Sequence, residues 1–357
     1  GGNEASSQLG AIAPPFPRQS IVVFSDGKHN RPIGSDLNSI NATVQAGNDR
    51  FYSIGFGTDV DDAILSGVAN DNGGIHVNEQ DLSPIQLTKY FLTVGALVHD
   101  MAVLSDPTYQ LGEGQAAQQT INLSKRDQSV TFAVNWTGQY AGNVRLAIQT
   151  PDKRCRIPLK DHKGLRVRKG DHYRLIRVEL PYYCGGLKVH EGPWTIQARP
   201  EDIVGQDKET VDIMILGDSR LKLQAKTVPV GDKRQVLLTA RLVQDGTPVR
   251  KHEQTRLEAH ILVMQAPAGD SEKQDSVRKV GTLGSVQLSV MQRRHRIVRL
   301  YDDGKNGDQK AGDGIFTAVI DTSDMKPGLL QARLVAAVRD GKLKLTREAT
   351  ATYYIKR

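Results

Sequence analysis

The chain between residues 21 and 57 begins with Ile21-Val22-Val23-Phe24-Ser25-Asp26-Gly27 and ends with Phe51-Tyr52-Ser53-Ile54-Gly55-Phe56-Gly57. Both ends are short, continuous apolar runs, a pattern typical of parallel strands buried on both faces. Between them, Leu37, Ile40 and Val44 recur at helical spacing before a stop at Gly47. The stretch therefore predicts a strand, a helix and a second parallel strand, joined by a right-handed crossover.

Asp26 is the first candidate functional residue, because it directly follows the first predicted strand. Ligands of open parallel sheets bind at the carboxyl ends of the strands. An Asp-Gly pair also forms turns, since the Asp side chain bonds to its own backbone nearby. A ligand-binding role and a turn-shaping role are both open for Asp26.

Two motifs in this stretch resemble the later half of a von Willebrand factor A domain. That family has an apolar strand ending in Thr/Ser-Asp-Gly, here Ser25-Asp26-Gly27, and a later strand reading Tyr-x-Ile-Gly-x-Gly, here residues 52–57. The resemblance covers about residues 1–104. It implies a partial α/β fold, a three-stranded parallel remnant of the Rossmann-like A-type sheet.

The resemblance also implies a metal site for Mg²⁺ or Ca²⁺ in the intact parent domain, where hard oxygen ligands suit either ion. The family takes these ligands from an Asp-x-Ser-x-Ser loop, a later Thr and the Asp of the Asp-Gly turn. Only Asp26 has a counterpart here. We therefore expect an A-type domain cut by the start of the chain, an incomplete site and no metal bound in this chain.

Beyond Pro107 the apolar pattern changes to short alternating strands separated by glycine-containing turns. The segment 129–136, for example, places Val130, Phe132, Val134 and Trp136 on one face. Several such strands with regular turns are typical of a β-sandwich. The same pattern returns later in the chain. The predicted fold is therefore multidomain: an A-type unit at 1–104, a β-sandwich at 107–217 and an Ig-like β-sandwich at 218–357.

The loop from Leu300 to Phe316 resembles an Ig-like module found beside A-type domains in bacterial surface proteins and in calcium-activated chloride channel regulators. It contains four clustered carboxylates: Asp302, Asp303, Asp308 and Asp313. Such carboxylates repel one another unless a cation or hydrogen-bond donors neutralise them. The spacing differs from an EF-hand, because Gly304 stands where the third-position ligand belongs. A Ca²⁺ site and a metal-free, turn-rich loop are the two alternatives.

Cys155 and Cys184 are the only cysteines of the chain. Both fall in the first predicted sandwich, on neighbouring strand ends, and a secreted setting would permit a disulfide between them. A bridge closing a loop of this length contributes about 3 kcal/mol to stability. We predict the disulfide, with two unpaired thiols as the alternative.

The net charge of +7 is unevenly distributed. Residues 1–100 hold 5 Lys/Arg and 11 Asp/Glu, which gives −6 and leaves +13 for the rest. The densest basic segment, residues 151–180, holds 10 Lys/Arg and 4 Asp/Glu, or +6. It predicts either docking of an acidic polysaccharide, a membrane surface or nucleic acid, or a solvated face, and any binding to acidic polymers is expected at Lys153–Arg177. Nucleic acid is disfavoured as a partner, because Tyr173 is the only aromatic residue of the basic segment.

No membrane span is expected, because the longest apolar run, Tyr90–Val98, is far too short to cross a bilayer. Enzymatic motifs are also missing. His190-Glu191 and His252-Glu253 begin like a zinc-protease helix, but Trp194 and Arg256 stand where the second His is required.

The sequence thus predicts a noncatalytic, secreted or cell-surface adhesion protein whose A-type domain binds a protein ligand. The alternative is the noncatalytic C-terminal region of a secreted protease or hydrolase whose catalytic domain lies upstream.

Overall fold

The structure, a computed structural model, describes residues 19–26, 37–47, 49–56, 60–79, 84–230, 234–249, 255–265, 295–340 and 342–355. The first part is an α/β unit. Its elements are β1 (Ser20–Ser25), α1 (Leu37–Ala46), β2 (Arg50–Phe56), α2 (Asp62–Asp71), β3 (His76–Glu79) and α3 (Pro84–Val98).

The three strands form a parallel sheet in the order β1-β2-β3. On one face, Ile21 and Phe51 pack against Val44 of α1 and Val68 of α2. The opposite face packs against α3. The apolar strands are therefore covered on both sides, and the predicted partial α/β fold is confirmed.

The helix ends follow local signals in two cases. The sequence offers Asp59 or Asp61 as the cap of the second helix. Asp61 accepts a hydrogen bond from the backbone N–H of Ile64 at 3.2 Å and begins α2, whereas Asp59 lies outside the described residues. The apolar pattern after Pro84 predicts a last helix over residues 84–104, and its end is wrong: α3 ends at Val98 and Asp100 adopts a φ of 54°. The left-handed backbone at Asp100 stops the helix and turns the chain into a strand. None of the described helices is long and apolar enough to cross a membrane.

The first sandwich follows directly. Its strands are β4 (Ala102–Ser105), β5 (Thr108–Leu111), β6 (Ala117–Leu123), β7 (Asp127–Trp136), β8 (Val144–Gln149), β9 (Leu165–Lys169), β10 (Tyr173–Glu179), β11 (Tyr182–Cys184), β12 (Leu187–Val189), β13 (Gly192–Pro200) and β14 (Glu209–Ser219). One sheet runs β4-β14-β7-β10-β9, with β5 also paired to β14, and it faces the sheet β6-β13-β8. The predicted inward residues of β7 lie in the core between these sheets, around the buried Trp194.

The second sandwich is built from β15 (Leu221–Val230), β16 (Gln235–Gln244), β17 (Thr247–Pro248), β18 (Arg256–Gln265), β19 (His295–Leu300), β20 (Ile315–Asp321), β21 (Gly328–Asp340) and β22 (Leu343–Ile355). One sheet runs β15-β16-β17, with β20 beside β16, and the facing strands run β19-β18-β21-β22. Alternating residues of β16, such as Leu238 and Leu242, fill the core between them.

The two sandwiches share one ten-stranded sheet, because β22 pairs with β4 at Glu348 and Val103. Strand β4 lies within the range 1–104 that the sequence assigns to the A-type unit. In the structure it pairs with β14 of the first sandwich instead.

A buried ion pair ties the sandwiches together at what we call the sandwich junction. Nη2 of Arg347 lies 2.7 Å from Oδ1 of Asp127 and 3.1 Å from Oγ of Ser219. Nε donates to the carbonyl of Leu221 at 2.8 Å, and Nη1 donates to the carbonyl of Thr346. Both charged side chains are essentially inaccessible to water.

Helix α3 lies between the parallel sheet and the outer face of the ten-stranded sheet. Its residues Leu92 and Ala96 pack against Ala133, Met214 and Leu216 of that sheet. Because only part of an A-type domain is recognisable in the sequence, we expect one sheet edge and some apolar helix surface to stay open, and the sandwiches to fold independently of the α/β unit. The structure covers this side of α3 with the first sandwich, so the two units share an apolar contact.

The charged part of this contact, which we call the α3 junction, consists of Lys89, Asp106, Thr108 and Asp212. Nζ of Lys89 lies 2.8 Å from Oδ1 of Asp106 and 3.0 Å from Oδ1 of Asp212. Thr108 donates its hydroxyl to Asp212 at 2.7 Å. Burial raises the pKa of Asp106 to about 6, partly offset by Lys89. Burial would lower the pKa of Lys89, but Asp106 and Asp212 outweigh it and raise that pKa.

Candidate functional site

The carboxyl edge of the parallel sheet places Asp26 in solvent. Asp26 directly follows β1 and is exposed. Two residues earlier, Phe24 leaves 49% of its surface exposed although it belongs to a strand. The predicted strand end therefore combines a carboxylate with a large apolar side chain, both open to solvent.

Three phenylalanines form a patch here, which we call the aromatic edge: Phe24, Phe56 and Phe91. The rings of Phe24 and Phe56 are stacked with centroids 6.2 Å apart, and those of Phe24 and Phe91 are tilted at 5.4 Å. Phe91 is 47% exposed. The apolar pattern of the last predicted helix places Phe91 on its buried face, which is wrong: its ring contacts Phe24 at the end of the edge strand β1 but stays about half exposed.

The described residues do not assemble a metal site around Asp26. Only one group of three metal-ligating side chains is found among them, and Asp26 is not part of it. One carboxylate does not supply the six oxygen ligands that Mg²⁺ requires. The donor set described at this edge therefore does not fit the metal implied by the A-type resemblance, and we derive no metal-bridged contact from it.

The group of three lies in the loop between β19 and β20. Carboxylate oxygens of Asp302, Asp308 and Asp313 all lie within 4.8 Å of one another, whereas Asp303 is not part of the group. The same carboxylates also accept backbone hydrogen bonds. Asp302 accepts from the N–H groups of residues 312, 313 and 314, and Asp308 accepts from those of residues 304 and 310. The loop thus has the geometry of both alternatives, convergent oxygens and carboxylate-stabilised turns.

The two cysteines are free thiols in the structure, not the disulfide that the sequence predicts. They are nevertheless neighbours. Burial, together with a hydrogen bond with the Cys184 thiol, raises the pKa of Cys155 to about 12. Cys184 also faces the carbonyl oxygen of Arg156 at 3.8 Å. The disulfide stays a prediction, one that this proximity permits.

A buried serine–histidine–aspartate chain was not predicted. Oγ of Ser53 lies 2.9 Å from Nδ1 of His76, and Nε2 of His76 lies 2.9 Å from Oδ1 of Asp62. In a hydrolase triad the serine bonds Nε2 and the aspartate bonds Nδ1, the reverse of this arrangement. Ser53 and His76 are fully buried, so no substrate reaches them. The polar residues interrupting the apolar runs at 51–56 and 75–77 were the available signal.

His190, the first residue of the zinc-protease-like pair His190-Glu191, makes two hydrogen bonds that stabilise the first sandwich. Nε2 of His190 donates to the carbonyl oxygen of Asp127 at 2.8 Å, and the carbonyl of His190 accepts from the Trp194 indole at 2.9 Å. His252 lies outside the described residues.

Comparison with known proteins gives little beyond this geometry. No protein-family model matches the chain, and no curated protein matches it. A solved structure described as a von Willebrand factor type A protein from Catenulispora acidiphila is similar at 14% identity and a TM-score of 0.24. The match covers 69% of this chain and 44% of that one, so this chain spans less than half the length of that protein. At this score the similarity supports no inference about function.

Proposed function

We propose that this is a noncatalytic adhesion protein, secreted or exposed on a cell surface, which binds a protein ligand at the carboxyl edge of its parallel sheet. The observation that carries the proposal is the aromatic edge, where three phenylalanines cluster in a strand-and-helix region and two of them remain about half exposed. Carboxyl edges of parallel sheets are the usual ligand sites of open α/β folds.

The chemistry of the edge favours a protein partner. Exposed aromatic clusters rimmed by polar residues mark protein interaction sites, and aromatic residues dominate the energetics of such interfaces. Asp26 provides a charged rim beside Phe24. A noncatalytic role is supported by the full burial of Ser53 and His76, a hydrogen-bonded nucleophile–base pair that no substrate reaches.

The test compares binding of two variants to immobilised collagen, fibrinogen and fibronectin by surface plasmon resonance. The first variant carries Phe24→Ser and Phe91→Ser. The control carries Val204→Ser and Tyr183→Ser, two residues that are 75% and 62% exposed far along the chain. We expect the wild type to bind at least one of these proteins and the first variant to bind it at least tenfold more weakly, with the control unchanged.

Two results would contradict the proposal. One is equal binding by the two variants. The other is the absence of micromolar binding by the wild type to all three proteins.

A further inference from the structure

Strands β9 and β10 carry three arginines on one face, which we call the arginine strip: Arg166, Arg168 and Arg177. Leu165 of β9 and Ile176 and Val178 of β10 point into the core of the first sandwich. Because side chains alternate along a strand, the arginines project from the opposite, outer face. Arg166 and Arg168 are exposed, and Arg177 is half-buried.

The register brings like charges together. Arg166 lies directly opposite Arg177 in the antiparallel ladder, and Arg168 lies opposite the apolar Leu175. Facing like charges destabilise a strand pair. Arg177 is paired with Glu179 at 2.8 Å and Arg168 with Asp161 at 3.3 Å, but Arg166 has no ion pair among the described residues. Asp161 also interacts electrostatically with Arg166. Three guanidinium groups therefore face two carboxylates, and the strip keeps one excess positive charge that an anion would balance.

An aromatic ring borders the strip on the same face. Tyr173 of β10 is 39% exposed, and its ring lies over Gly170, where any Cβ atom would collide with it. Gly170 thus lets the ring rest against the backbone at the end of β9. The ring is held in place and offers an apolar surface beside the guanidinium groups.

We propose that the arginine strip and Tyr173 bind an acidic polysaccharide, one whose sugars carry sulfate or carboxylate groups. Guanidinium groups bind such oxyanions through paired hydrogen bonds, and the tyrosine ring packs against the apolar face of a sugar. The site goes beyond the proposed protein-binding function and does not depend on it.

The position of the strip suits an extended polymer. In the ten-stranded sheet, β9 is a terminal strand, so the strip borders an open edge along which a chain can run. Charged residues on an edge strand also protect it against aggregation. That role would explain the arginines of β9, but not Arg177, which lies on the second strand from the edge. A nucleic acid fits less well, because successive bases need several stacking rings and the strip has one.

The experiment measures binding of heparin, a sulfated polysaccharide, by isothermal titration and by salt elution from a heparin column. The strip variant replaces Arg166, Arg168 and Arg177 by Gln. A control of equal charge replaces the exposed Lys208, Lys226 and Lys344 by Gln. We expect the strip variant to bind heparin at least tenfold more weakly and the control to change less than threefold. Equal losses in both variants would show that only overall charge matters, and would overturn the site.

A second variant, Tyr173→Phe compared with Tyr173→Ala, separates ring packing from charge. We expect Phe to keep heparin binding and Ala to weaken it several-fold, without any change in net charge. A single-stranded oligonucleotide and phosphatidylserine vesicles serve as competing probes. Tighter binding of either probe than of heparin, or identical binding by the Ala and Phe variants, would overturn the assignment to a polysaccharide.

Discussion

The sandwich junction and the α3 junction both bury charge, but they balance it differently. At the sandwich junction one guanidinium, Arg347, meets one carboxylate, Asp127, and its other donors reach neutral oxygens. At the α3 junction Lys89 is shared by two carboxylates. There, Oδ2 of Asp212 and the side-chain amide of the neighbouring Asn135 find no hydrogen-bond partner among the described residues.

This difference separates a junction with balanced charge from one that responds to pH. A fully paired and hydrogen-bonded charge is costly to break, because removal of one partner leaves the other buried and alone. At the α3 junction Asp106 and Asp212 face Lys89, and the Arg333–Glu348 ion pair lies close by. Carboxylates therefore outnumber cations, and the junction can lose its excess negative charge by taking up a proton.

The largest effect is expected at the sandwich junction. Asp127→Asn keeps the side-chain shape but removes the carboxylate that lies against the buried Arg347 guanidinium. We expect the free energy of unfolding, measured in urea at pH 7, to fall by roughly 3–5 kcal/mol. The double variant Asp127→Asn, Arg347→Met removes the stranded charge, so its loss should be smaller than that of Asp127→Asn alone. A double variant that is less stable than Asp127→Asn would show that the buried guanidinium is not what destabilises the single variant.

The second prediction concerns pH at the α3 junction. Asp106 has a pKa of about 6 in the folded protein against 3.8 ordinarily, so between these values the folded state holds a proton that the unfolded state has released. Stability from this group is therefore present at low pH and is lost as pH rises from about 4 to 6. The change is at most about 3 kcal/mol, since one pKa unit corresponds to about 1.4 kcal/mol.

The control for this prediction is Asp106→Asn, which cannot ionise. Urea unfolding is measured for both proteins at pH 4, 5, 6 and 7. As pH rises, the free energy of unfolding of the wild type should fall relative to that of the variant. Identical pH profiles of the two proteins would mean that Asp106 does not titrate in this window, and that the two junctions do not differ in their response to pH.

The strands and helices that meet at the two junctions were predictable from the sequence, because the signals that form them are local. The continuous apolar runs at 21–25 and 51–56 predict parallel strands, and the alternation at 129–136 predicts the inward face of β7. The cap at Asp61 was equally readable, since an acceptor side chain before a helix binds the first free N–H groups.

The junctions were not predictable, because each depends on contacts far apart in sequence. Asp127 and Arg347 are 220 positions apart, and Lys89 and Asp212 are 123 apart. Strand β4 has four residues and joins β22 at a single residue pair. A strand this short shows no alternation from which its pairing could be predicted. The aromatic edge was missed for a related reason, since helical periodicity shows which residues share a face but not how completely each of them is covered.

The smallest predicted effect has the opposite sign and concerns Asn135, beneath α3. Its side chain is almost fully buried, and both atoms of its amide lack a hydrogen-bond partner in the described part of the chain. Replacing a buried polar group that has no partner by an apolar group of similar shape removes a desolvation cost. We therefore expect Asn135→Leu to raise the free energy of unfolding by about 1 kcal/mol. The matched control is Asn122→Leu, because Asn122 donates to the carbonyl oxygen of Lys344 at 2.9 Å and should lose stability when replaced. Differential scanning calorimetry should move the two melting temperatures in opposite directions. A destabilised Asn135→Leu variant would show that the amide is satisfied in solution, and that the α3 junction is as well balanced as the sandwich junction.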